Sequence, residues 1–289
     1  MFVDTVDIDR HRLGRAVDTE EIRRAQLEML DALVDCCHRN GLTYYLSGGT
    51  LLGAVRHKGY IPWDDDIDVN MPRPDVDRLI ELTGGRLNDH MVIGSPFGPF
   101  HQSTTFPRVC DTRYILHSES FDGKSSYYTN LFVDIFPIEG LPTDIPKVKR
   151  HYFHAQCLVT MRRLAFFKGV TGHLTPGKVA RLAARPVAKL FGWEFWSRRL
   201  QKLARKYDYN TCEYVGVVTS CMHKLEEYIE RDGYGEPVPV EFEGKRYNGP
   251  NNWDKYLSNL YGDYMQLPPE DKRIHHNFEV YENLDEVLI

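Results

Sequence analysis

The segment Asp64-Asp65-Asp66-Ile67-Asp68-Val69-Asn70 sets four carboxylates within five positions, interleaved with aliphatic side chains. No other stretch restricts the fold as much. Read as a strand, its side chains alternate between faces, so Asp66, Asp68 and Asn70 share one face while Ile67 and Val69 enter a core. Carboxylates two residues apart on one face repel, and something positive must compensate. A hard divalent cation with oxygen ligands fits best. Leu131-Phe132-Val133-Asp134-Ile135-Phe136 reads as a second strand, buried, with one charge in its middle. A lone carboxylate is expensive there. If this strand lies beside the first, Asp134 completes a three-Asp site.

Upstream, Ser47-Gly48-Gly49-Thr50 breaks a short strand at Thr43–Leu46 and opens about two turns of helix over Thr50–His57. The free N–H groups of such a turn form an anion site. Arg56, His57 and Lys58 at the other end of the helix are expected to reach a phosphate. Ser47 and Thr50 either donate to phosphate or cap the helix. Glycine turn, helix and D-x-D strand together make a phosphate-plus-metal unit. Three other readings compete. An EF-hand loop would match Asp64, Asp66, Asp68, Asn70 and Asp75, but Val69 stands where that loop needs glycine, and Pro72 and Pro74 oppose its exit helix. A D-x-D sugar-nucleotide glycosyltransferase would place a longer nucleotide-binding half before the motif. A surface acidic turn leaves Asp134 unexplained.

Along the chain, Asp18 and Glu21 have capping-box spacing before a helix over Thr19–Arg39, which Asn40-Gly41 ends. A helix over Val76–Leu82 closes at Gly84-Gly85, and His90 to Tyr128 reads as short strands and turns. Pro137, Gly140 and Pro142 mark a boundary. Lys147 to Lys206 reads as mostly helical, interrupted from Gly172 to Gly177 and at Pro186. A hairpin at Val238–Tyr247, a short helix at Trp253–Tyr261 and an irregular tail follow.

The net charge of −5 conceals an uneven distribution. From Thr160 to Lys206 twelve lysines and arginines face one acid, Glu194, a net +11 that leaves −16 for the rest. One face is therefore expected to meet an anionic partner, or the two parts to pair with each other. Six cysteines without C-x-x-C spacing point to a reducing cytoplasm rather than a disulfide framework. His151-x-x-His154-x-x-Cys157 has ligand spacing but no evident fourth ligand, and amphipathic packing is the simpler explanation. No run approaches the ~18 apolar residues of a membrane span, and Met1-Phe2-Val3-Asp4 does not open a secretion signal.

The run Tyr44-Tyr45-Leu46-Ser47-Gly48-Gly49-Thr50-Leu51-Leu52-Gly53-Ala54-Val55-Arg56-His57-Lys58-Gly59-Tyr60-Ile61-Pro62-Trp63-Asp64-Asp65-Asp66-Ile67-Asp68-Val69 closely resembles the signature of the LicD family. That family contains bacterial phosphocholine transferases and is related to the fukutin-type transferases of animals. Phe132-Val133-Asp134-Ile135-Phe136-Pro137, Trp253-Asp254-Lys255-Tyr256-Leu257 and Tyr261-Gly262-Asp263-Tyr264-Met265 are similar to further family blocks. The resemblance implies an α/β (α+β) fold, a nucleotidyltransferase-like mixed sheet flanked by helices, with residues 1–145 as the core. Residues 146–236 would be a basic helical accessory region, and 237–289 a segment returning to the core. It implies transfer of phosphocholine from CDP-choline to a sugar hydroxyl of a teichoic acid, lipo-oligosaccharide or capsule precursor, releasing CMP. Mg2+ or Mn2+ would be held by Asp66, Asp68 and Asp134, with Asp64 as a further ligand. Asp134 would either ligate the metal or activate the acceptor hydroxyl. CDP-ribitol or CDP-glycerol is the alternative donor, and a catalytically silent acceptor-binding scaffold the non-enzymatic one.

A quaternary ammonium is held by aromatic faces. Trp63 is the leading candidate, followed by Tyr256 among Tyr127, Tyr128, Trp253 and Tyr261. His275 and His276 are candidate phosphate or acceptor contacts. The 160–206 segment would contact the inner, anionic face of a membrane carrying a lipid-linked acceptor, or pack on the acidic remainder. No nucleic-acid partner is expected, because no binding module accompanies the charge.

Overall fold

The computed structural model describes residues 10–119, 126–166, 176–270, 273 and 278–286. The chain is a mixed α/β structure built on a ten-stranded sheet with helices on its flanks. Strand β1 (Leu13–Ala16) leads into α1 (Thr19–Asn40), whose buried Ile22, Ala25, Met29, Leu30, Leu33 and Cys37 keep helical period. The Asp18 carboxylate accepts from the Glu21 N–H at 2.8 Å, and Gly41 closes the helix in the left-handed region at φ +60°. There follow β2 (Tyr45–Leu46), α2 (Gly48–His57), β3 (Asp68–Pro72) and α3 (Arg73–Thr83). Strands β4 (Met91–Ser95), β5 (Phe100–His101), β6 (Arg108–Glu119) and β7 (Ser126–Leu141) complete the centre of the sheet. Helices α4 (Ile145–Phe166) and α5 (Pro176–Ala204) pack together beside it. The remainder forms β8 (Tyr214–Val217), β9 (Ile229–Glu230), α6 (Arg231–Tyr234), the hairpin β10 (Val238–Phe242) and β11 (Lys245–Gly249), α7 (Trp253–Tyr261) and β12 (Glu279–Asn283).

The main path of the sheet is β1-β12-β6-β7-β3-β2. A shift between Asp111 and Ile115 divides β6, so that its first part pairs with β4 and its second with β12. β7 is the spine: β3 runs parallel along one edge, while β6 and then β8 run antiparallel along the other. Ile67, Val69, Met71, Val133, Ile135 and Ile138 are fully buried in the main core. A smaller core joins Leu141 to α4 and α5 through Val148, Tyr152, Val159 and Leu200.

Several boundaries differ from those expected. Pro137 and Gly140 do not end β7. Ile135 directs its N–H to Pro107 and Asp134 directs its own to Ile67 on the opposite edge. By alternation Pro137 faces the gap between β6 and β8, so its missing donor breaks no ladder bond. Gly140 is required by packing, because a Cβ there would stand 2.6 Å from the Asp208 carbonyl oxygen. Pro74 sits in the first turn of α3, where a proline is tolerated. Pro186 lies inside α5, and the break falls instead at Gly192, at φ 75° and ψ 162°. Residues 167–175, which hold most of the expected interruption, lie outside the described residues. The tail contributes β12, inserted between β1 and β6. His151 is buried against the Tyr207 ring while Cys157 is exposed, so the spacing His151, His154, Cys157 does not present one face. No helix of the described residues is long and apolar enough to cross a membrane.

The start of α3 is tied to β7 by a buried ion pair. Arg73 donates to Glu139 Oε1 through Nε at 3.0 Å and through Nη2, and Glu139 Oε2 accepts from Val218 N at 3.3 Å. Removing one partner strands a buried charge. Arg73→Leu should therefore cost about 3–5 kcal/mol in chemical denaturation. The double variant with Glu139→Leu should recover much of that loss.

Candidate active site

Three neighbouring strands carry charged groups at one level of the sheet. Asp68, the first residue of β3, is the register partner of Asp134 on β7, which in turn is the partner of Arg108 on β6. Opposed residues of adjacent strands project to one face, so a carboxylate, a carboxylate and a guanidinium stand in a row. Arg108 Nε lies 2.5 Å from Asp134 Oδ1, and Nη2 donates to Oδ2 at 3.3 Å. The same guanidinium rests 3.9 Å from the centre of the Phe132 ring, a cation–π contact that fixes its plane.

Asp68 retains some solvent access but is enclosed by protein. That enclosure pushes its carboxyl well above the usual range, and Asp66, Asp134 and Asp64 push it further against the opposing pull of Arg108. Asp64, Asp65 and Asp66 precede β3 in a turn and are not part of the strand. Of the expected face Asp66, Asp68 and Asn70, the last two lie within β3, and Asp66, just outside it, acts on Asp68 more strongly than any other charge. The turn forms because α1 satisfies its backbone: Arg23 donates to the Asp64 carbonyl at 3.2 Å and Gln26 to that of Asp65 at 2.8 Å.

The start of α2 faces this cluster. Gly48 has φ +49°, and a Cβ there would lie 3.3 Å from Asp68 Oδ2. A Cβ at Gly49 would lie 2.5 Å from Asp64 Oδ2. The two glycines thus let carboxylates approach the positive end of a helix dipole. The Gly48 N–H donates to the Tyr256 hydroxyl at 3.4 Å, which also shares a 3.0 Å hydrogen bond with Ser47 Oγ. Asn70 Nδ2 donates to the hydroxyls of Tyr256 at 3.2 Å and Tyr234 at 2.9 Å. Thr50 Oγ1 accepts from the Asp68 N–H at 2.8 Å. Ser47, Thr50 and Tyr256 are buried, and all three hydroxyls bond within the protein.

The structure does not bring every predicted residue to this point. Arg56, His57 and Lys58 lie at the far end of α2, roughly 14 Å along the axis from Gly48. Arg56 donates to His57 Nε2 at 2.9 Å and to the Tyr264 carbonyl at 2.7 Å. Burial, then the Arg56 charge, lowers the pKa of His57. Lys58 lines a cleft with Val240, Arg246 and Trp253 that no carboxylate of the cluster lines. Trp63 meets the His57 ring edge-on and carries the Arg273 guanidinium 4.5 Å from its ring centre. Tyr128 stacks on His117, six residues and about 20 Å along β7 from Asp134. The Tyr127 side chain, His275 and His276 lie outside the described residues. Tyr261, like Tyr256, reaches the start of α2: its hydroxyl lies 3.7 Å from the Cβ position of Gly48. Burial, then Tyr256, Asp68 and Asp64, pushes its phenol up.

Sequence reasoning missed Arg108, a lone cation between Pro107 and Val109 whose only signal is a charge in a strand bound for the core. It also missed Glu227. This carboxyl is 5% exposed, and its Oε2 makes no hydrogen bond among the described residues. Its charge acts on Tyr152, Tyr234, Tyr256 and Tyr261.

Among the described residues no three acids, histidines or cysteines are set as ligands around one point, and Asp134 is engaged with Arg108. The donor set nonetheless fits a hard cation. Mg2+ characteristically takes one or two carboxylates, keeps several waters and completes its shell with substrate phosphates.

The site thus sets paired acidic strands of a mixed sheet beside a glycine-initiated helix. The domain described as LicD/FKTN/FKRP, nucleotidyltransferase domain, matches residues 41–175, which carry α2, the acidic turn, Arg108 and Asp134. The chain is 31% identical over 265 residues to the lipopolysaccharide cholinephosphotransferase LicD of Haemophilus influenzae, covering 88% of this chain and 94% of that one. The ribitol 5-phosphate transferase FKRP of Homo sapiens is 41% identical over 61 residues, 21% of this chain and 12% of that one. The chain belongs to the LicD family.

Glu227 gives a pH signature. Burial, then Glu226, raises its pKa from 4.5 to about 8. A carboxyl raised on folding contributes its full stability below the unfolded value and loses it as pH climbs toward the folded one. Stability should therefore fall between about pH 4.5 and 8. Glu227→Gln should be more stable than the parent at pH 8 by a few kcal/mol, and no more stable below pH 4.5, in denaturant titrations.

Proposed function

We propose that the chain transfers phosphocholine from CDP-choline to a sugar hydroxyl of a cell-surface glycopolymer or glycolipid precursor, releasing CMP. That it is a phosphotransferase follows from its family and its likeness to LicD over most of both chains. The observation that carries the finer reading is the row of Asp68, Asp134 and Arg108 beside the start of α2. A cluster this negative repels a nucleotide diphosphate, so a donor reaches it only with a cation between them. Asp66, Asp68 and Asp134, with Asp64, would hold Mg2+ or Mn2+. When bound, the cation supplies neutralisation of the transferring phosphoryl group and of the leaving CMP phosphate.

The protein's own groups do the positioning. Thr50 and Ser47 hold the backbone of Asp68 from either side, through the Asp68 N–H and carbonyl respectively. Arg108 orients Asp134, leaving that carboxylate either to take the acceptor proton or to complete the cation's ligands. Tyr261, which reaches the start of α2, is the candidate face for the choline ammonium. The acceptor is read as lipid-linked. Similarity to FKRP over 61 residues favours ribitol phosphate as the second donor choice.

Asp66→Asn and Asp68→Asn should each lower CMP release by about 10²–10⁴-fold. Neither should lower the melting temperature, because each removes a repelling charge. Both should lose Mg2+ binding in calorimetry, whereas Asp134→Asn keeps it if its task is the proton. A thermal-shift and turnover panel of CDP-choline, CDP-ribitol, CDP-glycerol and a UDP-sugar with Mg2+ should select CDP-choline. Turnover of the UDP-sugar alone would sink the proposal.

A further inference from the structure

Helix α5 changes character at Gly192. Before that break, Val179, Leu182, Val187, Leu190 and Phe191 lie on one side, and Leu190 is 80% exposed. Apolar residues at this spacing normally mark the buried face of a helix. Here all five are turned to solvent. Arg181, Arg185 and Lys189, four residues apart, form a cationic row along another side, and no acid occurs between Pro176 and Phe191. At the break the Phe191 ring stacks on Phe195 at 4.8 Å and meets Trp196 edge-on at 5.8 Å. Trp196 Nε1 donates to the Ala188 carbonyl at 3.0 Å. Partly exposed aromatic rings beside cations are suited to the headgroup level of a bilayer.

We propose that Pro176–Phe191 lies in the plane of an anionic phospholipid surface, its apolar face in the headgroup–acyl boundary and its cationic row on lipid phosphates. Charge complementarity selects this occupant. A second copy of the chain would bring the same cations to the same face, and like charges would meet. The inference does not depend on the identity of the donor or acceptor.

The test is flotation of the full chain with phosphatidylcholine vesicles containing or lacking phosphatidylglycerol. Binding is expected on the anionic vesicles only, and should weaken with added salt. Leu182→Asp with Leu190→Asp, and separately Arg181→Glu with Lys189→Glu, should each raise the half-saturating lipid concentration by about tenfold or more. All four side chains are exposed, so the melting temperature should not move. Absence of binding by the parent chain overturns the proposal, as does equal binding by the aspartate variant. So does a dimer in light scattering that the aspartate variant converts to a monomer, which would assign the face to a second copy.

Discussion

Mutual repulsion among Asp64, Asp66, Asp68 and Asp134 is the constraint around which this fold is arranged. Left to solvent, the four would separate. The parallel register of β3 and β7 prevents that, because Asp68 and Asp134 occupy opposed positions on strands whose other residues are locked in the core. Moving Asp68 away from Asp134 would require Val69 and Met71 to leave fully buried positions. A one-residue slip would turn every side chain of β3 to the wrong face. Hydrophobic packing thus imposes a proximity that electrostatics alone would reject, as is common at functional sites.

Two positive features moderate the repulsion without removing it. Arg108 faces Asp134, and the first turn of α2 faces Asp64 and Asp68. The second changes how a glycine turn of this kind is understood. A Gly-Gly helix start is ordinarily read as a phosphate cradle. Here carboxylates occupy the approach to it, and the Gly48 N–H is directed at Tyr256. At the other end of α2, Arg56 ties the helix to the Tyr264 carbonyl.

Elements whose signals are local were legible in the sequence. The 3.6-residue period and caps define α1, the apolar run with one charge defines the middle of β7, and Asn252 caps α7 where a short helix was expected. What was not legible depends on distant partners. Nothing near Glu279–Asn283 announces that it inserts between β1 and β6, and nothing near Pro137 announces a gap opposite its missing donor. The backbone before β3 is held at the carbonyls of Asp64 and Asp65 by Arg23 and Gln26, some forty positions earlier. Arg108 joins the acidic row only through the register of β6 on β7. Alternation along one strand predicts faces; it does not predict neighbours.

The charge asymmetry resolves in the same way. Two uses competed for the basic segment, internal pairing and an anionic partner, and the contacts differ on the two sides of Gly192. After it, Arg205 pairs with Asp77 of α3, and Arg198 lies over the Phe97 ring. On α4, Arg162 is buried near Ser197 and Trp193, where desolvation first, then Arg163 and Arg108, lowers its pKa to about 9. Arg205 and Arg198 thus join the helical pair to α3 and to Phe97, and Arg162 lies between α4 and α5. Before Gly192 the smaller core has no side chain from α5, and Arg181 and Lys189 are exposed alongside an apolar face. A helix that serves the fold sends its apolar face inward and its charges outward. Among the described side chains of the first half of α5, Ala188 is fully buried while five large apolar residues and two of the cations are exposed, and the proposed lipid contact rests on that arrangement.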